Sequence, residues 1–170
     1  AHLTCIGSTK EETTKILKDL QEKGIDNILA LRGDISDAKS GVGEFKNSQE
    51  LIRHIRQTGR FGIAAACYPE GHIESNSIDR DIEVLKLKKD AGADYFISQL
   101  FFDNNHFYNL LDKARKKGID LPIQAGIMPV INKKQIERIV SLCGATLPRK
   151  FIKIMNRYEN NKEALRDAGI

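Results

Sequence analysis

The sequence predicts an α/β protein in which parallel strands alternate with helices, as an arc of a (β/α)8 TIM barrel. Two observations predict this fold. Short apolar runs alternate with segments whose apolar residues recur at helical spacing. Three junctions between a helix and the next strand are also near copies of one another: Lys23-Gly24-Ile25-Asp26, Ala91-Gly92-Ala93-Asp94 and Lys117-Gly118-Ile119-Asp120. Each junction places glycine at a helix C-terminus, where a left-handed residue is favoured.

The length favours a barrel over an open sheet. Five β/α units in 170 residues give 34 residues per unit. Eight such units would need about 270 residues, close to the roughly 250 of a typical barrel. A slice of five strands leaves two parallel edges unpaired, which folded proteins avoid. We therefore expect about five units of the barrel in this chain and its closing strands outside it. An open five-stranded sheet is the alternative.

The first half of the chain contains two strands, each followed by a helix. Residues 2–6 are the first predicted strand, and Ser8 is the predicted N-cap of the first helix, with Glu11 as its capping-box partner. Residues 28–31 are a short apolar run, typical of a strand buried on both faces of a parallel sheet. The second helix has Leu51, Ile52 and Ile55 on one face and ends near Gly59.

The second half continues the alternation. The predicted elements are a strand at 61–66, a helix at 79–91, a strand at 95–99, a helix through 107–114, a strand at 122–127 and two closing helices. The helix through 107–114 shows apolar residues at positions i, i+3, i+4 and i+7, which is one face of an α-helix.

Composition narrows the function classes. The chain is 41% hydrophobic and 29% charged, as expected for a single globular domain over residues 1–170. Its three cysteines, Cys5, Cys67 and Cys143, are far apart, which favours reduced thiols and a cytoplasmic setting. No run approaches 18 apolar residues, so we expect no membrane span. A net charge of +4 without a basic run among aromatics argues against a nucleic-acid partner.

Polar side chains follow the predicted strands. Arg32-Gly33-Asp34 ends the second strand, and glycine there can adopt positive φ. Because ligands collect at the carboxyl ends of strands in barrels and α/β sheets, this tripeptide predicts a binding loop. An ordinary polar turn with an Arg32–Asp34 ion pair is the alternative. The other residues of the predicted rim are Tyr68, Glu70, His72, Gln99, Asp103 and the turn 126–129, and Asp81 and Lys88 share a face of the helix after the third strand.

The rim lacks several of the motifs that would identify a catalytic class. It shows no Ser-His-Asp pattern and no phosphate loop. Cys67 and His72, five residues apart, are a weak pair for a metal, so we expect no metal site. The remaining hydrogen-bonding, aromatic and charged groups suit a large polar coenzyme that contains an aromatic ring system.

Six motifs, in order, carry a specific resemblance. The sequence resembles the methylenetetrahydrofolate reductases, of the flavin-dependent bacterial type, over essentially its whole length. This resemblance implies a TIM-barrel fold and an enzyme that uses NADH or NADPH to reduce FAD, which in turn reduces 5,10-methylenetetrahydrofolate to 5-methyltetrahydrofolate. The matching motifs are His2-Leu3-Thr4-Cys5, Ala30-Leu31-Arg32-Gly33-Asp34, Ala66-Cys67-Tyr68-Pro69-Glu70-Gly71-His72, Asp90-Ala91-Gly92-Ala93, Gln99-Leu100-Phe101-Phe102-Asp103 and Gly126-Ile127-Met128-Pro129.

The resemblance also implies roles for individual residues. Asp34 and Gln99 would act in catalysis, and Asp34, Gln99 and Gln135 would contact the folate. Ala93 would need to stay small to keep FAD tightly bound. The residues expected to hold FAD are His2, Arg32, Gly33, Asp34, Tyr68, His72, Asp81 and Lys88.

The same resemblance places the general-acid glutamate of the family before Ala1. We therefore expect a partial TIM-barrel catalytic domain over residues 1–170 that is inactive alone and belongs to a homo-oligomer. Two alternatives remain open: a flavin-binding module without turnover, and a scaffold fragment that assembles with other chains.

Overall fold

The computed structural model describes residues 1–33 and 43–168, in which strands and helices alternate along most of the chain. The elements are β1 (His2–Thr4), α1 (Lys10–Glu22), β2 (Asn27–Leu31), α2 (Ser48–Thr58), β3 (Gly62–Cys67), α3 (Ile78–Asp90), β4 (Tyr95–Leu100), α4 (Asn104–Lys116), β5 (Ile123–Gly126), α5 (Lys133–Cys143), α6 (Arg149–Arg157) and α7 (Lys162–Ala168).

The five strands form one sheet in the order β1-β2-β3-β4-β5, and every neighbouring pair is parallel. Strand order that follows chain order is the arrangement of a (β/α)8 barrel. A doubly wound open sheet instead reverses its strand order at a switch point. The predicted class, α/β with about five units of the barrel, is confirmed.

The main core lies between the sheet and its helices. Burial alternates along β2, where Ile28 and Ala30 are buried and Leu29 and Leu31 are half-buried. The prediction that residues 28–31 are buried on both faces is therefore wrong. Leu29 and Leu31 share the sheet face opposite the helix-packed one, which is the interior of a closed barrel. β3 is buried on both faces through Ile63–Ala65.

A second, smaller core joins the last three helices. Val130, Ile136, Met155 and Leu165 are buried in it, and Phe102 and Met128 pack against it from the β4–α4 and β5–α5 loops. The sequence predicts two closing helices, whereas the structure has three. The third, α7, is seven residues long and contributes one buried apolar residue, Leu165, too little for a periodic pattern.

Helix α1 begins one residue later than predicted. Its N-cap is Thr9, whose hydroxyl accepts from the Glu12 N–H at 3.2 Å while the Glu12 carboxylate accepts from the Thr9 N–H at 2.9 Å. Ser8 and Glu11 fit the same spacing. Ser8, however, belongs to the preceding turn, because its N–H donates to the Cys5 carbonyl and its carbonyl accepts from Glu44.

The repeated junctions have the predicted conformation. Gly24, Gly92 and Gly118 have φ of 72°, 111° and 71°, in the left-handed region. Each follows the end of a helix just before the next strand, so the three glycines allow the same left-handed turn at the α1–β2, α3–β4 and α4–β5 junctions. None of the helices in the described ranges is both long and apolar enough to cross a bilayer.

Candidate functional site

A cleft of about 300 Å³ lies at the carboxyl ends of β2 and β3. The first turn of α2 and one face of α3 complete its walls. The residues that line the cleft include Arg32, Gln49, Tyr68, His72, Asp81 and Lys88. Five of these six, all except Gln49, were predicted as coenzyme contacts, and the structure brings them together.

Arg32 follows β2 and forms a two-armed ion pair across the mouth of the cleft. Its Nη1 and Nη2 donate to the two carboxylate oxygens of Glu74 at 2.6 and 2.8 Å. These hydrogen bonds lower the pKa of the Glu74 carboxyl. The predicted alternative paired Arg32 with Asp34, which lies outside the described residues. A guanidinium that binds a carboxylate through two parallel bonds has the geometry that also binds phosphate.

Gly33 is required by its position. Its φ is 89°, and a Cβ there would lie 2.8 Å from the Ile6 side chain and 3.2 Å from the Thr4 Cβ. Any larger residue would therefore combine a strained backbone with a steric overlap. The glycine therefore allows a positive-φ backbone directly after Arg32, close against Thr4 and Ile6.

Asp81 is a buried carboxylate that fixes the loop after β3. It is 9% exposed, and its Oδ2 accepts from the His72 backbone N–H at 2.9 Å. The His72 ring meets the Tyr68 ring edge to face, with 4.7 Å between centroids. Helix α3 thus holds the two predicted aromatic contacts at one wall of the cleft.

Lys88 is a buried cation in the last turn of α3. It is 6% exposed, and its Nζ donates to the Ala66 carbonyl at 2.7 Å and lies 5.8 Å from the centroid of the Tyr68 ring. Burial lowers the Lys88 pKa from 10.5 to about 8, against the opposing influence of Cys67 and Asp81. Within the described residues, the Lys88 ammonium thus donates to a carbonyl and lies near an aromatic ring.

Three predicted site residues lie away from the cleft. His2 is exposed on β1, and Gln99 lies at the end of β4, where its Oε1 accepts from the Leu100 N–H at 2.9 Å. Gln135 is exposed in the first turn of α5, where its N–H donates to the Asn132 side chain. Gln99 does meet Tyr68 along a narrow seam of about 10 Å³. Asp34, the predicted catalytic carboxylate, lies outside the described residues.

Glu70 connects this region to the second core. One carboxylate accepts from the Thr146 N–H at 3.1 Å and from its hydroxyl at 2.5 Å, 76 residues away in the chain. His106 Nε2 lies 3.7 Å from the same carboxylate. Cys143 and Ala145, on either side of Gly144, line the seam with Gln99. Glu70 therefore holds the α5–α6 loop against the rim.

Glu74 and Gln49 are among the residues of the cleft that were not predicted from the sequence. Glu74 pairs with Arg32, 42 positions away in the chain, and no local sequence pattern predicts such a contact. Gln49 occupies the second position of α2, where a glutamine is unremarkable. The parts of the chain that the structure describes contain no group of three potential metal ligands. Burial also raises the pKa of the Cys67 thiol to about 12, which disfavours the thiolate needed for a metal.

Comparison with known families gives a match over the whole chain. The Methylenetetrahydrofolate reductase family matches residues 1–170. Methylenetetrahydrofolate reductase 1 of Schizosaccharomyces pombe is 37% identical, over 99% of this chain and 29% of that protein. The 5,10-methylenetetrahydrofolate reductase of Escherichia coli is 35% identical, over 99% of this chain and 56% of that protein. Methylenetetrahydrofolate reductase (NADH) 1 of Zea mays is 34% identical, over 31% of its length.

A solved structure supports the fold. The crystal structure of 2,3-dimethylmalate lyase, a member of the PEP mutase/isocitrate lyase superfamily, matches with a TM-score of 0.51 at 10% identity, over 96% of this chain and 60% of that one. At such low identity the likeness shows the fold alone. The chain spans about half the length of the bacterial relatives and about three tenths of the eukaryotic ones.

Proposed function

The chain belongs to the methylenetetrahydrofolate reductase family, and from this premise we propose that residues 1–170 form part of its catalytic barrel domain. The proposed reaction is reduction of 5,10-methylenetetrahydrofolate to 5-methyltetrahydrofolate. NADH or NADPH would supply the electrons and FAD would mediate. A relative from Zea mays named for NADH supports a nicotinamide donor. The single observation that carries the proposal is the convergence on one cleft of five residues that the family resemblance assigns to FAD: Arg32, Tyr68, His72, Asp81 and Lys88.

The side chains of the cleft fit a flavin dinucleotide. Three cationic side chains line it, Arg32, Arg80 and Lys88, and the first turn of α2 borders it. Helix N-termini and guanidinium groups both bind phosphate. Within the described residues, the Gln49 Oε1 is a buried oxygen with no hydrogen-bond partner. A cleft of about 300 Å³ is at the small end of the range for ligand sites. It therefore suits one part of a dinucleotide.

Each predicted coenzyme contact has a distinct proposed task. Arg32 and Lys88 would neutralise phosphate charge, since within the described residues the Lys88 ammonium donates to a carbonyl and not to a carboxylate, and a guanidinium fork such as that of Arg32 also binds phosphate. Asp81 would hold the His72 loop in place. Tyr68 would present an apolar ring face beside the ligand. When bound, FAD would supply the hydride-transfer chemistry that no side chain of the protein can perform.

The remaining predicted residues form the folate side of the proposal. Asp34 and Gln99 would act in catalysis and would contact the folate, as would Gln135. His2 and Gly33 stay proposed as FAD contacts from the family resemblance. An anion such as Asp34 close to the ligand would favour developing positive charge on the folate. We also propose a homo-oligomer in the cytoplasm, the latter supported by three unpaired cysteines.

The first experiment is spectroscopic. We expect the purified chain to bind FAD with flavin absorbance bands, and those bands to bleach anaerobically on addition of NADH or NADPH. Arg32→Ala should weaken FAD binding by roughly tenfold, the loss of one charge-assisted contact. Arg53→Ala is the matched control, because Arg53 is exposed on α2 and does not line the cleft.

The outcomes separate the candidate functions. Binding with bleaching supports a reductase, and binding without bleaching supports a flavin-binding module without turnover. A chain that binds no FAD leaves the scaffold alternative, and the proposed coenzyme is then wrong. Addition of 5,10-methylenetetrahydrofolate to the reduced protein tests the expected inactivity of residues 1–170 alone. The flavin bands should stay bleached, because the general acid that the family resemblance implies lies outside these residues. Reoxidation by this acceptor would contradict that expectation.

A further inference from the structure

Gln49 lies at the cleft without a role in the fold. It is the second residue of α2, half-buried, and it lines the cleft with Arg32 and Lys88. The side chains of its neighbours form the hydrogen bonds that cap the N-terminus of α2. The Asn47 side chain accepts from the Glu50 N–H at 3.1 Å, and the Glu50 carboxylate accepts from the Lys46 N–H at 2.9 Å. The helix start is therefore complete without the Gln49 side chain.

The carbonyl oxygen of the Gln49 side chain has no hydrogen-bond partner within the described residues. This oxygen, Oε1, is buried from solvent, and it is the one buried side-chain oxygen or nitrogen in the ranges the structure describes in that condition. A buried carbonyl oxygen that has lost its water without gaining a donor destabilises the fold. An apolar side chain of the same length would avoid this penalty. The amide therefore makes this position less stable than leucine would.

The other groups of the cleft indicate which class of ligand the Gln49 amide would bind. The same cleft holds a guanidinium, a buried ammonium and a helix N-terminus, all of which favour an anionic, oxygen-rich ligand. An amide carries two donors and an acceptor on one rotatable group, so it can pair with a phosphate, a hydroxyl or a ring carbonyl. A ligand in the cleft would supply a hydrogen-bond partner for the Gln49 amide, whose oxygen has none within the described part of the protein.

We infer that Gln49 is a ligand-binding residue of the cleft, and that its side-chain amide hydrogen-bonds a polar group of the bound flavin coenzyme. This inference rests on the proposed function for the identity of the ligand. It makes a prediction that a structural role does not make. Removing the amide should stabilise the ligand-free protein and weaken ligand binding, two effects of opposite sign.

The test compares Gln49→Leu with wild type and with Gln57→Leu. Gln57 is exposed on the same helix and does not line the cleft, so it controls for the chemical change. Thermal unfolding of the flavin-free chain gives stability, and fluorescence titration with FAD, FMN and riboflavin gives affinity. We expect Gln49→Leu to unfold at a higher temperature than wild type and to bind FAD at least tenfold more weakly. Gln57→Leu should bind FAD as wild type does.

The three ligands locate the contact. Equal losses for all three place it on the ring or the ribityl chain, and a loss confined to FAD places it on the adenylate half. Unchanged FAD affinity in Gln49→Leu overturns the inference, as does a loss that tracks a fall in stability. If Gln49→Leu does not fold, Gln49→Ala replaces it under the same criteria. Failure of wild type to bind any flavin refutes the proposed coenzyme instead, so the two failures are distinguishable.

Discussion

Lys88 is a charged side chain that the fold buries at a cost, and the cost has a measurable pH dependence. Its pKa is about 8 in the folded protein and 10.5 in the reference state. Between these values the unfolded chain binds more protons than the folded one. The free energy of unfolding therefore rises with pH across this window, because deprotonation relieves the buried charge.

Lys88→Met should remove this pH dependence of the unfolding free energy. The stability advantage of Lys88→Met over wild type should shrink from pH 7.5 to pH 10 by on the order of 2 kcal/mol, since each pKa unit is worth about 1.4 kcal/mol. Thermal unfolding at a series of pH values measures it. Lys86→Met, at an exposed position of the same helix, should show no such trend. An advantage that is constant with pH would show that Lys88 does not titrate there. Wild-type affinity for FAD should fall as pH rises through about 8.

Helix α3 carries two carboxylates with different roles: Asp81 supports the loop after β3, and Asp79 forms a surface ion pair. Asp81 is 9% exposed and accepts the His72 N–H, whereas Asp79 is exposed and pairs with Lys113 at 2.6 Å. Asp81→Ala leaves a backbone donor unpaired, so we expect a loss of about 1–3 kcal/mol in unfolding free energy. Asp79→Ala should leave the unfolding temperature nearly unchanged. Denaturant unfolding measures both variants, and equal losses would refute the assignment.

The site was predictable where chain position determines it. Residues at a strand end, such as Arg32 and Tyr68, lie at the rim because parallel strands end at one edge of the sheet. Asp81 and Lys88 were predictable because a seven-residue separation returns to one helix face. The Arg32–Glu74 pair and the bare Gln49 oxygen were not. Both depend on which way a side chain turns once distant segments have packed.

At the scale of elements, Glu70 in the loop after β3 accepts a hydrogen bond from Thr146 in the loop between α5 and α6. Glu70→Ala should free the α5–α6 loop, and the Thr146 amide should exchange its hydrogen roughly tenfold faster, as expected from loss of a hydrogen bond to a charged group. Hydrogen exchange followed by mass spectrometry measures this. Glu159→Ala, which removes an exposed partner of Lys133, is the control. Unchanged exchange in residues 144–148 would show that Glu70 does not hold the loop.

Elements were predictable in proportion to their periodicity. The β2 and β3 apolar runs and the α4 stripe were placed within a residue or two, because burial imposes their pattern. The start of α1 was wrong by one residue, since Ser8 and Thr9 both satisfy the capping pattern and only the Ser8 backbone bonds decide between them. Helix α7 was missed because its stability comes from the second core and not from its own sequence.

At the scale of the molecule, the sheet has two edges. Within the residues described, no strand pairs with the outer side of β1 or of β5, the two ends of the strand order. Strand edges present unpaired N–H and C=O groups, which recruit further strands. In a closed barrel those groups are paired by neighbours on both sides. The relatives are longer than this chain, and strands from elsewhere in such a protein would occupy the edges.

We therefore expect the 170-residue chain by itself to self-associate through an edge, in proportion to its concentration. Ala125 is exposed on β5, and a charged side chain on an edge strand opposes pairing. Ala125→Lys should lower the average mass in sedimentation velocity at a given concentration. Asn109→Lys adds the same charge at an exposed position of α4 and should leave the mass as in wild type. Equal effects of the two substitutions would assign the association to net charge, and no effect of either would place the contact away from β5. Only a selective effect of Ala125→Lys supports the view that these strands are an arc built to be closed.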